Sequence, residues 1–231
     1  MRQTVSAPLS ATREALGRLF LGRCFYLFVT LLTLVAIAPF VEAQYSGLMI
    51  RYLINSLVML AAVAAVGRSI VSFVVVLALA APAVALRWLA LRSGDESYID
   101  LGLRLDAGVY LATIFLLLRY VFDREVLTSD RLWGAASAYL MIGVLWSVFY
   151  VIIDRFGEPA FAIRGESGPM QLNNLLYFSF GTLTTSGFGD IVPVTRVAQT
   201  AAMVEGIVGQ LFMAILIARL VGVYPQSAVR Q

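Results

Sequence analysis

The run Leu172–Asp190 reads LNNLLYFSFGTLTTSGFGD and joins a short aromatic, apolar segment to glycines at alternate positions. The apolar part, about 172–184, is too short to cross a bilayer. A short apolar helix followed by irregular backbone predicts a re-entrant segment, which is tolerated at membrane depth only where it lines a cavity. Gly187 and Gly189 adopt positive φ without steric cost. Their spacing therefore suits a strand whose successive carbonyls turn to the same side.

The rest of the chain is typical of a helical membrane protein. Of its 231 residues, 60% are apolar and 13% charged, whereas a soluble domain is about half apolar and a quarter charged. The charges lie between apolar runs close to the length that crosses roughly 30 Å of hydrocarbon. The predicted fold class is an all-α membrane protein with six transmembrane helices and one re-entrant pore helix. The six helices are predicted near residues 20–41, 48–66, 69–91, 99–122, 132–153 and 197–222.

All 17 basic residues are arginines, and they form no basic block. Arginines at membrane boundaries explain the net charge of +3 better than a nucleic-acid partner does. Their distribution favours a multi-pass plasma-membrane protein with both termini in the cytoplasm. The apolar run that ends at Ala36-Ile37-Ala38 resembles a signal peptide with its cleavage site. We interpret it as a retained first helix because it is nearly long enough to span.

The glycine-alternating run suits the binding of a desolvated cation. Such an ion needs a ring of carbonyl oxygens in place of its water shell. The run offers one carbonyl strand, and the Thr185 hydroxyl lies at its inner end. One strand cannot surround an ion, so four copies about an axis are expected. The expected partners are three further copies of the chain, membrane lipids and monovalent cations.

The context of this run extends the pattern. Asp190, Pro193 and a long apolar helix follow it, and the stretch from about Leu172 to Val223 resembles the pore domain of the tetrameric potassium channels. Their filter reads Thr-Val-Gly-Tyr-Gly-Asp, and the layout is similar to prokaryotic six-helix members. The resemblance implies a potassium-selective channel that conducts passively and has no cofactor besides permeant K⁺. It also implies an ion-binding filter made of Thr185, Ser186, Gly187, Phe188 and Gly189. The carbonyls of the first four and the Thr185 hydroxyl would hold K⁺.

We call residues 184–190 the filter segment, and two of its positions depart from the family pattern. Phe188 replaces the usual tyrosine, as it does in several potassium-selective members. Ser186 replaces a β-branched apolar residue and adds a hydroxyl that needs a partner, so a softer filter and a weakly selective cation channel remain an alternative. Gly181 stands where some members carry a glutamate, which leaves the Tyr177 hydroxyl as the expected support for Asp190.

Two other functional classes compare differently with a channel. A non-conducting membrane scaffold or sensor subunit that keeps a filter-like loop remains an alternative. An enzyme is not expected, because the sequence contains no nucleophile–base set and no cluster of metal ligands.

The two helices around the filter segment carry further candidate residues. The short helix is expected to end near Thr184 with its partially negative end toward the pore, and Asn173 or Asn174 is its expected N-cap. Glu205 is expected either to hydrogen-bond to the short helix from behind or to titrate as a gating element. Gly209 matches the family's hinge position, although glycine equally permits close packing. By the same resemblance, Gln210, Met213 and Ile217 line the inner cavity and gate.

The first four helices lack a voltage sensor. A sensor needs several arginines at three-residue spacing, whereas the fourth helix carries only Arg104 and Arg119. Arg104 is expected to pair locally with Asp100 and Asp106. The predicted domains are a cytoplasmic N-terminal segment (1–19), a four-helix peripheral domain (20–122), an interfacial linker (123–131), the pore domain (132–223) and a short C-terminal tail (224–231).

Overall fold

The structure is a computed structural model that describes residues 22–40, 45–67, 69–123, 128–168 and 170–223. The described part contains seven α-helices and three short strands. The helices are α1 (Arg23–Ile37, continued by a 3-10 turn at Ala38–Phe40), α2 (Tyr45–Val66), α3 (Ile70–Ser93), α4 (Glu96–Val121), α5 (Ser129–Phe156), α6 (Leu172–Leu183) and α7 (Arg196–Val223). The strands are β1 (Phe161–Ile163), β2 (Glu166–Ser167) and β3 (Ile191–Pro193).

The helical fold class is confirmed, with one addition. Helices α3, α4, α5 and residues 196–222 of α7 are long and apolar enough to cross a membrane, whereas α1 and residues 52–66 of α2 are apolar but shorter. The three strands form an antiparallel sheet in the order β2-β1-β3, which the sequence did not predict. The whole N-terminal segment, residues 124–127 of the linker and the C-terminal tail lie outside the described residues.

Helix α1 is tied to α4 and α5 at one end. Its buried side chains Cys24, Leu27 and Leu31 recur at helical spacing and define the face that packs inward. The Cys24 amide donates to the Asp130 carboxylate at 3.0 Å, and the Tyr120 hydroxyl donates to the same group at 3.1 Å. One acidic side chain on α5 therefore satisfies an amide at the start of α1 and holds a tyrosine of α4.

The expected local pairing of Arg104 with Asp100 and Asp106 is wrong. Asp100 accepts from Arg155 Nε on α5 at 2.5 Å, and Asp106 pairs with an arginine of α3. The Arg104 guanidinium instead lies over the ring of Phe156, 5.1 Å from its centre. Each acid faces a neighbouring helix, where tertiary packing brings a cation closer than the next turn of its own helix does.

The arginine that pairs with Asp106 is Arg87, and the two form the centre of a buried polar cluster. Asp106 is fully buried. With the Asn55 amide oriented to suit its neighbours, its oxygen accepts from Arg87 Nη1 and Nε at 3.2 Å each, and its nitrogen donates to the Tyr110 hydroxyl at 2.5 Å. A buried charge without its partner is costly, so this cluster fixes the relative positions of α2, α3 and α4.

We predict that Arg87→Met lowers the free energy of unfolding by about 3–5 kcal/mol, because it leaves the Asp106 carboxylate buried and unpaired. Thermal unfolding of the purified protein in detergent measures the effect. Arg104→Met, which removes only a cation stacked on a ring, is the matched control and is expected to change stability by less than about 1 kcal/mol. Equal losses in the two variants would contradict the prediction.

Candidate functional site

Helix α6, for which we keep the name pore helix from the sequence prediction, is placed by a buried stripe on one of its faces. Leu175, Ser179 and Leu183 recur every four residues and are buried, which is the pattern of a helix face packed inside the protein. The helix begins at Leu172 with Gln171 as its N-cap, and no side chain caps it. The expectation that Asn173 or Asn174 is the cap is therefore wrong, since both lie inside the first turn. The predicted C-terminal position is met, because Thr184 is the C-cap.

The carbonyls in the last turn of the pore helix all find donors. A helix end leaves four carbonyls without intrahelical partners. Here Gly181 O accepts from the amides of Ser186 (2.9 Å) and Gly187 (3.1 Å), and Thr182 O accepts from the amide of Thr185 (2.9 Å). Phe180 O accepts from the Thr184 amide at 3.0 Å. Leu183 O accepts from the Tyr139 hydroxyl of α5 at 3.2 Å. The helix end and the start of the filter segment thus form one hydrogen-bonded unit.

The backbone of the filter segment alternates in handedness. The φ angles of Thr185, Gly187 and Gly189 are +59°, +55° and +78°, and no other residue of the segment has positive φ. A β-branched residue such as Thr185 rarely adopts this conformation, and strain of this kind collects at functional sites. The hydrogen bond from the Thr185 amide to Thr182 O holds Thr185 in this conformation. The alternation predicted from the glycines is present and begins one step earlier, at a threonine.

The carbonyl oxygens of the filter segment take no part in these hydrogen bonds. Within the described chain, no N–H or O–H donates to the carbonyl oxygens of Thr185, Ser186, Gly187 or Phe188, although the amides of the first three are used. All seven residues of the segment are exposed in the single chain. Backbone carbonyls need a partner from protein, water or a ligand. Four consecutive oxygens are therefore available to something outside the chain.

The Ser186 hydroxyl, which the sequence left without a partner, is bonded to Thr184. The two hydroxyl oxygens are 2.9 Å apart, and Thr184 Oγ1 donates to Phe180 O at 2.7 Å. Because Thr184 has a single hydroxyl proton, Ser186 is the donor in the pair. The serine is thereby tied to the last turn of the pore helix by a short relay of hydroxyls.

The outer part of the filter segment is supported by an aromatic stack. The rings of Tyr177 and Phe188 are parallel to within 13° with their centres 5.5 Å apart. A Cβ atom at Gly181 would lie 3.5 Å from the Phe188 ring, at ordinary van der Waals distance, so the ring lies directly against this position. The Asp190 carboxylate lies close enough to the Tyr177 hydroxyl to act on it electrostatically. Tyr177 therefore stacks on one residue of the segment and lies near a second.

Glu205 lies fully buried behind the pore helix. Its carboxyl group is 2.5 Å from the Ser179 hydroxyl and accepts from the Tyr150 hydroxyl of α5. Ser179 Oγ also contacts the Gly143 carbonyl of α5 at 2.7 Å. The residue thus joins α5, α6 and α7 at filter depth, in the position expected for a hydrogen bond to the short helix. Its possible gating role stays a prediction.

The sequence did not predict the roles of Ser179, Tyr150 and Gly143. Ser179 alone carried a signal, because it is one of few polar residues in an apolar helix. Tyr150 and Gly143 carried no signal, because a tyrosine and a glycine in a membrane helix are ordinary. A Cβ at Gly143 would lie 2.8 Å from the Phe180 ring, which shows that the glycine is required by packing against the pore helix.

Gly209 lies where α7 crosses the end of the pore helix. A Cβ atom there would lie 2.2 Å from Leu183 O, so the position accepts only glycine. Helix α7 is unbroken from Arg196 to Val223. Of the two roles weighed for Gly209, close packing has a direct structural basis, and the hinge role stays a prediction. Gln210, Met213 and Ile217 are exposed in the single chain and lie outside the stripe that packs on α5 and α6.

The far end of α7 is bonded to the end of α4. Arg219 Nη2 donates to the Asp123 carbonyl at 2.5 Å, and its guanidinium lies 4.9 Å from the centre of the Phe122 ring. Arg131 Nη1 at the start of α5 donates to the same carbonyl at 3.2 Å. One backbone oxygen of the linker therefore holds the ends of α5 and α7 together.

Comparison with known proteins supports a channel. Residues 138–225 match a protein family described as an ion channel, and this range includes the pore helix, the filter segment and α7. The chain is also similar to protein LctB of Bacillus caldotenax, with 29% identity over 99 residues that cover 41% of this chain and 73% of that protein. No solved structure matches the chain significantly. These matches show that the C-terminal part of the chain is similar to ion channels.

We predict that Gly209→Ala separates α7 from the pore helix, because the added methyl group would overlap the Leu183 carbonyl. Overpacking of this kind costs about 1–3 kcal/mol or more. The loss is measured as a lower unfolding temperature in detergent. Gly222→Ala is the control on the same helix, since no atom of the described residues lies within 4 Å of its added Cβ, and it is expected to behave like the wild type. A stable Gly209→Ala protein would contradict the close approach.

We predict that Glu205→Gln retains most of the stability and Glu205→Leu does not. Glutamine keeps an oxygen that accepts from Tyr150 and an amide that can donate to Ser179, whereas leucine leaves both buried hydroxyls without this partner. An unsatisfied buried group costs about 1–3 kcal/mol. Unfolding temperatures of the two variants, compared at equal detergent and salt, give the answer. If leucine were tolerated as well as glutamine, the carboxyl group would not be joining the three helices.

Proposed function

We propose that the chain is one subunit of a homotetrameric, potassium-selective channel of the plasma membrane, with six membrane-crossing helices and both termini in the cytoplasm. The observation that carries the proposal is a set of four consecutive carbonyls, at Thr185, Ser186, Gly187 and Phe188, to which none of the described residues donates. Carbonyl oxygens without donors attract cations and repel anions. Conduction would be passive, because such a site only replaces the water shell of the ion.

The pore helix adds to the attraction for a cation. Its C-terminal end, which carries a partial negative charge, leads directly into the filter segment. K⁺ would be held by the carbonyls of Thr185 to Phe188 and by the Thr185 hydroxyl, and Gly189 would complete the alternating backbone. Potassium is favoured as the permeant ion because the segment resembles the Thr-Val-Gly-Tyr-Gly-Asp filter of the potassium channels.

The assembly of four copies is supported by what the single chain leaves uncovered. The filter segment supplies one wall of a site that must surround an ion. Only 11% of the residues in the most apolar window of α7 are buried, against 56% for α5. In a tetramer, α7 would face its copies and the inner cavity, with Gln210, Met213 and Ile217 toward the axis.

Gating by a charged fourth helix is not part of the proposal. In α4, Arg104 is stacked on Phe156 of α5, and the buried acid Asp106 is occupied by Arg87 of α3. A sensor moves several arginines through the field. The fixed pairs of α4 suit a scaffold that supports the pore domain.

The proposal predicts a reversal potential near the potassium equilibrium value in a planar bilayer that separates potassium chloride from sodium chloride. Purified protein reconstituted as the full chain is the sample. A reversal potential near zero would indicate the weakly selective cation channel instead. An assembled protein that passes no ions would indicate the non-conducting scaffold or sensor subunit.

The same recording includes a variant that changes only the filter segment. Gly187→Ala places a methyl group at a φ of +55°, a conformation that costs an alanine about 1 kcal/mol or more, and it is expected to abolish or reduce the current. Gly168→Ala is the matched control, because its Cβ would meet no atom within 4 Å in the part of the chain that the structure describes, and its φ lies outside the left-handed region. Equal currents from both variants would argue against conduction through this segment.

A further inference from the structure

A hairpin between α5 and the pore helix contacts the exit of the filter segment. Strands β1 and β2 are joined by Arg164 and Gly165, whose φ angles are +51° and +91°. Positive φ at both central residues is the requirement of the tight turn that best matches strand twist. We call residues Phe161–Ser167 the outer hairpin. Its sequence reads as a loop because neither strand exceeds three residues.

The outer hairpin is bonded to the residues that directly follow the filter segment. Strand β1 pairs antiparallel with β3, with Ile163 opposite Ile191 and Phe161 opposite Pro193. At one end of this pairing, the Arg164 amide donates to Asp190 O at 3.1 Å. At the other end, the Val194 amide donates to Ala160 O at 2.9 Å. The exit of the filter segment is therefore one strand of a sheet.

The filter segment is thus held at both ends by backbone hydrogen bonds. Its inner end is bonded to the carbonyls of Gly181 and Thr182, and its outer end is bonded to the outer hairpin from Asp190 onward. The intervening carbonyls are the unpaired ones. Their spacing along the pore depends on where these two ends are fixed, so the position of the outer hairpin sets the outermost ion sites.

The outer hairpin rests on the pore domain through one buried ring. Phe161 is fully buried, and its ring centre lies 5.4 Å from that of Tyr150 and 5.2 Å from that of Phe178. Both contacts are edge-to-face, the arrangement that aromatic pairs prefer. The ring fixes where the outer hairpin lies on α5 and the pore helix. It does not hold together the two chain segments that flank the outer hairpin.

Asp154, in the last turn of α5, holds these two flanking segments together. Its two carboxylate oxygens accept from two amides at 2.8 Å each: Oδ1 from Ala160 and Oδ2 from Met170. These amides flank the outer hairpin on its two sides, so one side chain joins both ends of the loop to α5. The aspartate side chain offers a separate acceptor oxygen to each of the two amides, and charged acceptors make the stronger hydrogen bonds.

We propose that Asp154 is a positioning residue for ion conduction: by fixing the outer hairpin, and through it β3, it sets the geometry of the outermost ion sites of the filter segment. The proposal rests on the proposed channel function. Asp154 touches no ion itself. Its loss is expected to weaken ion binding at the outer end of the pore and to leave the inner end unchanged, since that end is held by the pore helix.

The test compares Asp154→Asn with the wild type in single-channel recordings of the reconstituted full chain. Potassium chloride is varied on one side of the bilayer at a time. For the asparagine variant, which keeps one acceptor oxygen, the half-saturating potassium concentration on the filter side is expected to rise about fivefold, the factor that corresponds to one hydrogen bond of average strength. The value on the opposite side is expected to stay the same. A general loss of structure would lower the number of channels without producing this asymmetry.

Arg155→Gln is the matched control. It is the next residue of the same helix end, but its guanidinium pairs with Glu96 and Asp100 of α4 and has no hydrogen bond to the outer hairpin within the described chain. Its half-saturating concentrations are expected to equal those of the wild type on both sides. Asp154→Glu, which keeps both acceptor oxygens, is expected to shift the filter-side value by less than the asparagine variant does.

A second measurement covers an asparagine variant that does not conduct. The unfolding temperature of the assembled protein in detergent is followed as potassium chloride is added, and the concentration for half-maximal stabilisation is expected to rise in the order wild type, Asp154→Glu, Asp154→Asn. Wild-type filter-side saturation and wild-type stabilisation in the asparagine variant would overturn the role of Asp154. Absence of current and of potassium stabilisation in the wild type itself would overturn the channel function instead.

Discussion

The rest of the structure depends on the hydrogen bonds that join the end of the pore helix to the filter segment. The carbonyls of Gly181 and Thr182 take the amides of three successive residues, Thr185 to Gly187. When the amides of a strand donate hydrogen bonds on one side, its carbonyl oxygens are free to bind a ligand on the other side. This division leaves four oxygens of the segment without a donor among the residues that the structure describes. Left-handed φ angles at every second residue make the division possible.

The surroundings keep this unit in place with polar groups where polar groups are costly and with glycines where there is no room. Glu205 bonds to Ser179 and Tyr150, so a buried carboxyl group holds the pore helix from behind. Gly209 lets α7 approach the Leu183 carbonyl, and Gly143 lets α5 approach the Phe180 ring. The position of the pore helix is therefore overdetermined, which is the condition under which a strained segment such as that at Thr185 persists.

The sequence predicted the features that depend on residues close to one another along the chain. Helices were found because apolar runs of sufficient length have few other structures, and the alternating segment was found because glycine marks positive φ. The pairing of Arg104 failed because spacing along one helix says nothing about a neighbouring helix, and Arg87 is nineteen residues from its partner Asp106. The sequence did not predict the outer hairpin, for a related reason. Three-residue strands carry no periodicity, and β1 pairs with β3, which lies on the far side of the pore helix in sequence.

The uncovered side of α7 has a consequence for how such a protein is made. In water, a helix that exposed Met203, Ile207 and Leu211 would aggregate, but lipid tails surround these side chains as well as another helix does. A newly inserted copy is therefore not driven to associate by the apolar area it exposes. Its recognition of other copies would depend on shape and on scattered polar groups such as Gln210. For the proposed assembly, biogenesis would then be paced by lateral diffusion and collision within the bilayer, and the density of newly inserted copies would set its rate.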